Sequence, residues 1–194
     1  MDEKFNFAQV CALVVENDQY STAIMAQILR GFGLSKHVFT ATGEEAQSRI
    51  PGGRFDLMIC ESVLPDMPAG DLIRWVRRQE VPEIRFIPIV VLTGYTQISV
   101  VVSVRDAGAN CVVRKPVSPN ILLDHMIWAA KSDRPFIETE DYIGPCRRFK
   151  NVGPPYGVGR RKTDVSAELG EAVQPNMSQE EIDSLMRPTK VSIE

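Results

Sequence analysis

Several apolar runs of strand length end on side chains that can do chemistry. Glu16, Asn17 and Asp18 follow the run at 10–15, Glu61 follows 55–60, Thr93 follows 87–92, and Lys115 follows 111–114. Carboxylates can ligate a hard cation or attack an electrophile, while a hydroxyl and an ammonium can hold a negative group. Such a set acts only if one fold brings its members together. A second chemistry-bearing stretch, 142–163, holds Arg147, Arg148, Lys150, Arg160, Arg161 and Lys162 with Tyr142, Phe149 and Tyr156 interleaved, and it contains no acid. Paired arginines and aromatics suit phosphates and flat bases, by bidentate hydrogen bonds and stacking.

The elements needed to position the first set are legible. The expected strands at 10–15, 37–40, 55–60, 87–92 and 111–114 alternate with helical patterns, which argues for a parallel sheet with crossover helices. Helices are expected near 19–30, 44–50, 70–79, 96–107 and 119–131, with Tyr20, Ala23, Ile24 and Ile28 as the apolar side of the first. Gly31 and Gly33 end that first helix. Ser118 caps the last helix, with Pro119 at its first position. Val100, Val101, Val102 and Val104 argue against the helix at 96–107, because β-branched side chains lose freedom there. Right-handed crossovers give a doubly wound α/β domain of strand order 2-1-3-4-5, with any site at the carboxyl ends of the strands. Glu16, Asn17, Glu61, Thr93 and Lys115 then face one crevice.

Composition narrows the classes. The chain has 194 residues, 44% of them hydrophobic, and a net charge of −3, so bulk electrostatics do not favour nucleic acid. No apolar run has the length of a membrane span, and the charged start carries no apolar signal core. Cys11, Cys60, Cys111 and Cys146 stand apart without paired spacing, and His37 and His125 lack ligand-like neighbours. A cytoplasmic protein with reduced thiols, no zinc and no membrane insertion is the expectation.

The segments "LVVEND", "FDLMICESVLPDMPAG", "IVVLTGY" and "DAGANCVVRKPVSP" resemble, in order and separation, the signatures of response-regulator (CheY-like) receivers over roughly 8–131. The resemblance implies roles. Glu16 and Asn17 fall where such receivers hold Mg²⁺, Glu61 where an Asp accepts a phosphoryl group, and Thr93 and Lys115 where the phosphoryl group and the acceptor are contacted. Departures follow at once. Glu61 is longer than Asp by one carbon, roughly 1.5 Å, and in-line transfer tolerates such displacement poorly. Asn17 is neutral and a weaker ligand, so Mg²⁺ binding is expected to be weak. Asp18 stands next in sequence, but strand alternation points it elsewhere. Val112 stands where switching receivers often carry an aromatic. Glu61 can reach Lys115 without phosphate, either as a standing phosphate mimic or as a structural ion pair. The resemblance therefore implies a non-enzymatic signalling adaptor that is not phosphorylated in the usual way, with a phosphorylatable receiver as the alternative. Its partners would be a histidine kinase, a CheY-type receiver or a flagellar or chemotaxis component.

Beyond the receiver, 132–176 reads as a basic Pro/Gly-rich, mostly irregular extension, 177–188 as a short amphipathic helix and 189–194 as a disordered end. The extension loosely resembles arginine-rich tails of CheY-like proteins that bind cyclic di-GMP, with Arg147, Arg148, Arg160 and Arg161 as the ligand residues. A solvated linker or a strap on the receiver is the other reading. In "NMSQEEIDSLMRP", Ser178 and Glu181 form a capping box, Met177 and Ile182 a hydrophobic staple, and Ile182, Leu185 and Met186 an apolar face. So short a helix needs a groove. It resembles the receiver-binding N-terminal peptide of the flagellar switch protein FliM, and it can dock in trans on another receiver or in cis on its own.

Overall fold

The computed structural model describes residues 6–132, 134–147 and 176–186. Five parallel strands, β1 (Cys11–Val15), β2 (Lys36–Thr40), β3 (Leu57–Glu61), β4 (Ile89–Thr93) and β5 (Cys111–Arg114), form one sheet in the order β2-β1-β3-β4-β5. The expected doubly wound topology is the one observed. The three inner strands run almost wholly apolar because both faces of the sheet are covered. Alternate residues feed two cores. Leu13, Val15, Met58, Cys60, Ile89, Val91 and Val112 point to one face, and Ala12, Val14, Leu57, Ile59, Val90, Leu92, Cys111 and Val113 to the other.

The helices are α1 (Gln19–Gly31), α2 (Gly43–Arg49), α3 (Ala69–Arg77), the short α4 (Pro82–Arg85), α5 (Ile98–Ala107) and α6 (Pro119–Lys131). Here the structure corrects the reading of α1. Tyr20 and Ile24 are exposed, at 81% and 58%, Ala23 is exposed and Ile28 half-buried, while Met25, Ala26 and Leu29 face the core. The helix has apolar residues on two sides, and the larger ones misled the assignment. In α5, tertiary burial of Val101 and Val104 overrides their poor helix propensity. Asp18 caps α1, accepting from Ser21 N at 2.7 Å, and Asp66 caps α2, accepting from Gly43 N and Glu44 N at 2.9 and 2.8 Å. Among the described residues no helix is long and apolar enough to cross a membrane.

The described residues past α6 hold more regular structure than expected. A hairpin of β6 (Phe136–Glu138) and β7 (Ile143–Pro145) lies within the stretch read as an irregular extension. It packs where α3, α4 and α5 meet, and Arg77 organises the contact. The Arg77 side chain is 1% exposed and has no carboxylate among its hydrogen-bond partners. It donates to the carbonyls of Gly108, Arg85 and Ile87 and to Asn110 Oδ1, at 2.7–3.0 Å. Its guanidinium also lies 5.1 Å from the centre of the Phe136 ring. Burial lowers its pKa to about 9, partly offset by Tyr142, so it stays charged at neutral pH. Gly108 ends α5 with φ +107°, and a Cβ there would meet the Ile143 carbonyl at 2.7 Å, so only glycine lets β7 approach.

The final helix, α7 (Gln179–Met186), packs against β5. Both halves of the capping box form: Glu181 N donates to Ser178 Oγ at 3.2 Å, and Ser178 N donates to Glu181 Oε2 at 2.7 Å.

Arg77→Leu is expected to lower stability by about 3 kcal/mol, because it strands several buried acceptors at once. A drop in the urea midpoint at unchanged slope measures this. Arg77→Lys is expected to recover less than half of it, since one ammonium cannot span the same fan of carbonyls.

Candidate functional site

The carboxyl ends of β1, β3, β4 and β5 converge on a half-closed crevice. Glu16 leaves β1 and is 7% exposed, Glu61 ends β3 at 9%, and Thr93 ends β4 at 0%. Lys115 follows β5, and its ammonium joins both acids. Nζ donates to Glu16 Oε2 at 2.7 Å and makes a close ion pair with Glu61 Oε2. The other oxygen of each acid is also held. Glu16 Oε1 accepts from Asp18 N at 3.0 Å, and Glu61 Oε1 accepts from Ser62 N and Ser62 Oγ at 3.1 and 3.2 Å.

Ser62 is the residue that sequence reasoning missed. Its Oγ stands 2.8 Å from Thr93 Oγ1, so the Ser62 hydroxyl lies between Glu61 and Thr93. Thr93 Oγ1 accepts from Tyr95 N at 2.9 Å, and its single proton goes either to Ser62 Oγ, completing a bridge to Glu61, or to Tyr95 O, also at 2.9 Å. The signal available was position alone: Ser62 directly follows the acid at a strand end, where alternation no longer fixes direction.

The other expected residues separate. Asn17 is exposed at the mouth, outside the contacts that join Glu16, Glu61 and Lys115. Asp18 is engaged as a helix cap. Its pKa lies below the usual carboxylate value because of the Ser21 backbone and side-chain hydrogen bonds. In the extension, Arg147 pairs with Asp106 at 2.8 Å and lies 3.9 Å over the Tyr142 ring. Arg148, Arg160 and Arg161 lie outside the described residues, as does the 189–194 end. Ile182 and Met186 are 0% and 1% exposed within the core that contains Val112, with Leu185 half-buried against it.

Electrostatics make the crevice self-sufficient. Burial by itself would lower the Lys115 pKa, but hydrogen bonds and charges from Glu16 and Glu61 outweigh it, and the net shift is upward. The donor set suits Mg²⁺ only weakly. One of its positions is the neutral Asn17, and the single Lys115 ammonium shared by Glu16 and Glu61 offsets one of their two charges. Burial, with the nearby charges of Glu61 and Glu16, pushes the Cys60 thiol well up and leaves it unreactive.

A doubly wound sheet with acids, a hydroxyl and a lysine at its carboxyl edge defines a receiver-type phosphorelay domain. The family profile described as the response regulator receiver domain matches residues 12–127, and the chain belongs to that family. It is 26% identical over 110 residues to the chemotaxis protein CheY of Pseudomonas aeruginosa, which covers 57% of this chain and 87% of that one. Its fold matches the solved CheY4 of Vibrio cholerae at a TM-score of 0.57 and 25% identity, covering 62% of this chain and 98% of the other. It also matches, at 0.56 and 24% identity, the receiver domain of a Pseudomonas aeruginosa sensor histidine kinase. That match covers 62% of this chain and 97% of the other, and that structure holds a magnesium ion in its active-site cleft. At that identity the likeness speaks for the fold alone.

Lys115→Met is expected to lower stability at neutral pH by about 2 kcal/mol, because it leaves two facing carboxylates without their cation. Its pH dependence has a definite sign. While the two carboxylates are ionised, a base whose folded pKa is raised stabilises the fold below its unfolded value, about 10.4 for lysine, and loses that contribution as pH rises through the folded value. The gap between wild-type and Lys115→Met urea midpoints is therefore expected to hold constant from neutral pH to about pH 10 and to close above it.

Proposed function

We propose that this chain is a receiver that signals through protein contacts in a state set by its own side chains, without aspartyl phosphorylation. The observation that carries this is the Lys115 ammonium bound to both Glu16 and Glu61. Glu61, at the acceptor-equivalent position, has both oxygens engaged, so neither is presented to an incoming phosphoryl donor. Through Ser62, the Glu61 carboxylate reaches the Thr93 hydroxyl. Glu61 thus acts as a standing negative charge that holds Thr93 and Lys115 together, which favours the phosphate-mimic reading over a purely structural pair.

The partners in this reading are other components of two-component or chemotaxis-type signalling in the cytoplasm. They would be met as proteins rather than through nucleic acid, and the chain itself is not an enzyme. Cyclic di-GMP gains no support, because Arg147, the described member of the arginine set, is committed to Asp106 and Tyr142.

Incubation with acetyl phosphate and Mg²⁺, read by intact mass, is expected to add no phosphoryl group. The double variant Asn17→Asp, Glu61→Asp is expected to gain one, since it shortens the acceptor and restores the second acid while Thr93 and Lys115 stay in place. Stoichiometric acid-labile phosphate on the wild-type chain would overturn the proposal.

A further inference from the structure

The amino end of the sheet, opposite the carboxylate crevice, carries a groove of about 630 Å³. Its near wall is α4, and its far wall is the turn from α2 into β3 at Pro51, Gly52 and Gly53. The buried Ile50, Val76 and Ile87 form its floor. Phe55 lies against the far wall, so close to Gly53 that a Cβ there would strike the ring. Beside the groove stands a ridge. Val81 and Phe86, at the two ends of α4, are 48% and 50% exposed. Large exposed apolar side chains next to an apolar hollow mark a surface that a partner covers.

The ridge is held from behind by the hairpin. Phe86 packs edge-on to Phe136 with ring centres 4.8 Å apart, Arg85 pairs with Glu138 at 2.5 Å, and the Arg85 carbonyl accepts from Arg77 Nη1 at 2.8 Å. A partner therefore meets a preformed shape, and little ordering cost opposes association. Charge then selects the partner. Arg54 stands on the far wall of the groove and Glu83 on α4. Both are exposed, and among the described residues neither is in an ion pair. A partner of one sign would leave one of them facing a like charge. A second copy, turned by a two-fold axis, brings Glu83 of each copy to Arg54 of the other while each ridge enters the other's groove. An isologous contact needs a knob with a hole, and a base with an acid, on one face.

We propose that the α4 ridge and the groove beside it form a two-fold interface between two copies of this chain. Val81 and Phe86 are its apolar centre, and the Arg54–Glu83 pairs, one on each side of the axis, fix its register. The paired chains keep both carboxylate crevices open, because these lie at the other end of the sheet. The interface does not depend on how the crevice is set, so failure of one proposal leaves the other standing.

The test is sedimentation of the full chain over a range of concentrations. The wild type is expected to pass from monomer to dimer as concentration rises. Arg54→Glu and Glu83→Arg are each expected to weaken association at least about ten-fold, because each sets like charges face to face at two points of one interface. The double variant Arg54→Glu, Glu83→Arg is expected to recover most of the loss, since the pairs re-form with their signs exchanged. Val81→Asp is expected to weaken association as much as either single reversal. Urea midpoints close to the wild-type value check that these exposed positions leave the fold intact. A wild-type chain that stays monomeric at millimolar concentration would overturn the proposal and leave the groove to a different protein. A dimer that both single reversals leave intact, or that the double variant fails to restore, would overturn it as well, because the contact would then lie on another face.

Discussion

Two carboxylates brought by separate strands into one crevice need a positive charge between them. In this chain the charge is covalently part of the fold. Burying acids without a counter-charge costs several kcal/mol, so the Lys115 ammonium is a condition for β1, β3 and β5 ending where they do. Much follows from it. Glu61 faces the crevice rather than solvent, Ser62 gains an acceptor, and Thr93 is held within hydrogen-bond reach of that acceptor. A receiver relying on an added metal and phosphate can change state as these come and go. Under the function proposed above, one whose cation is a side chain has that choice made during folding.

The opposite edge of the domain shows the same economy. At the end of the sheet, the outward-facing groups of β5 are met by the Gln179 amide, and beyond it the Arg134 guanidinium joins the Met186 carbonyl to that of Asn110, 2.8 Å away. Arg134 also lies 4.7 Å over the Trp128 ring of α6. On the lower side, Arg77 gathers carbonyls from the α4–β4 and α5–β5 connections. Segments outside the receiver signatures are thus held by single polar side chains that each make several hydrogen bonds, together with the apolar anchors Ile182 and Met186 of α7.

The sheet was legible in the sequence because each strand is an apolar run followed by a chemically distinct residue. The bounds of β5 and α6 matched the expected ones, since Gly108 and Pro119 punctuate them sharply. The crevice acids were legible because strand ends of a doubly wound sheet share one side. What could not be read was whatever depends on direction. The three-residue strands of the hairpin carry no detectable period, and a serine at a strand end looks like any loop serine. Gln179 reads as a solvent-facing helix residue until an open strand edge is placed beside it. The error at Tyr20 and Ile24 has the same origin, because size marked them as core while the helix phase was set by smaller neighbours.

The hairpin's seat against Gly108 also bears on modular exchange. Here the boundary drawn by family likeness, at residue 127, falls within α6 and ahead of the hairpin that covers Arg77 and Phe86. A graft cut at that boundary would carry a buried guanidinium with its aromatic cover removed and a left-handed glycine kept open for a strand no longer there. The transplantable unit of this protein is therefore larger than the unit by which its kinship is recognised.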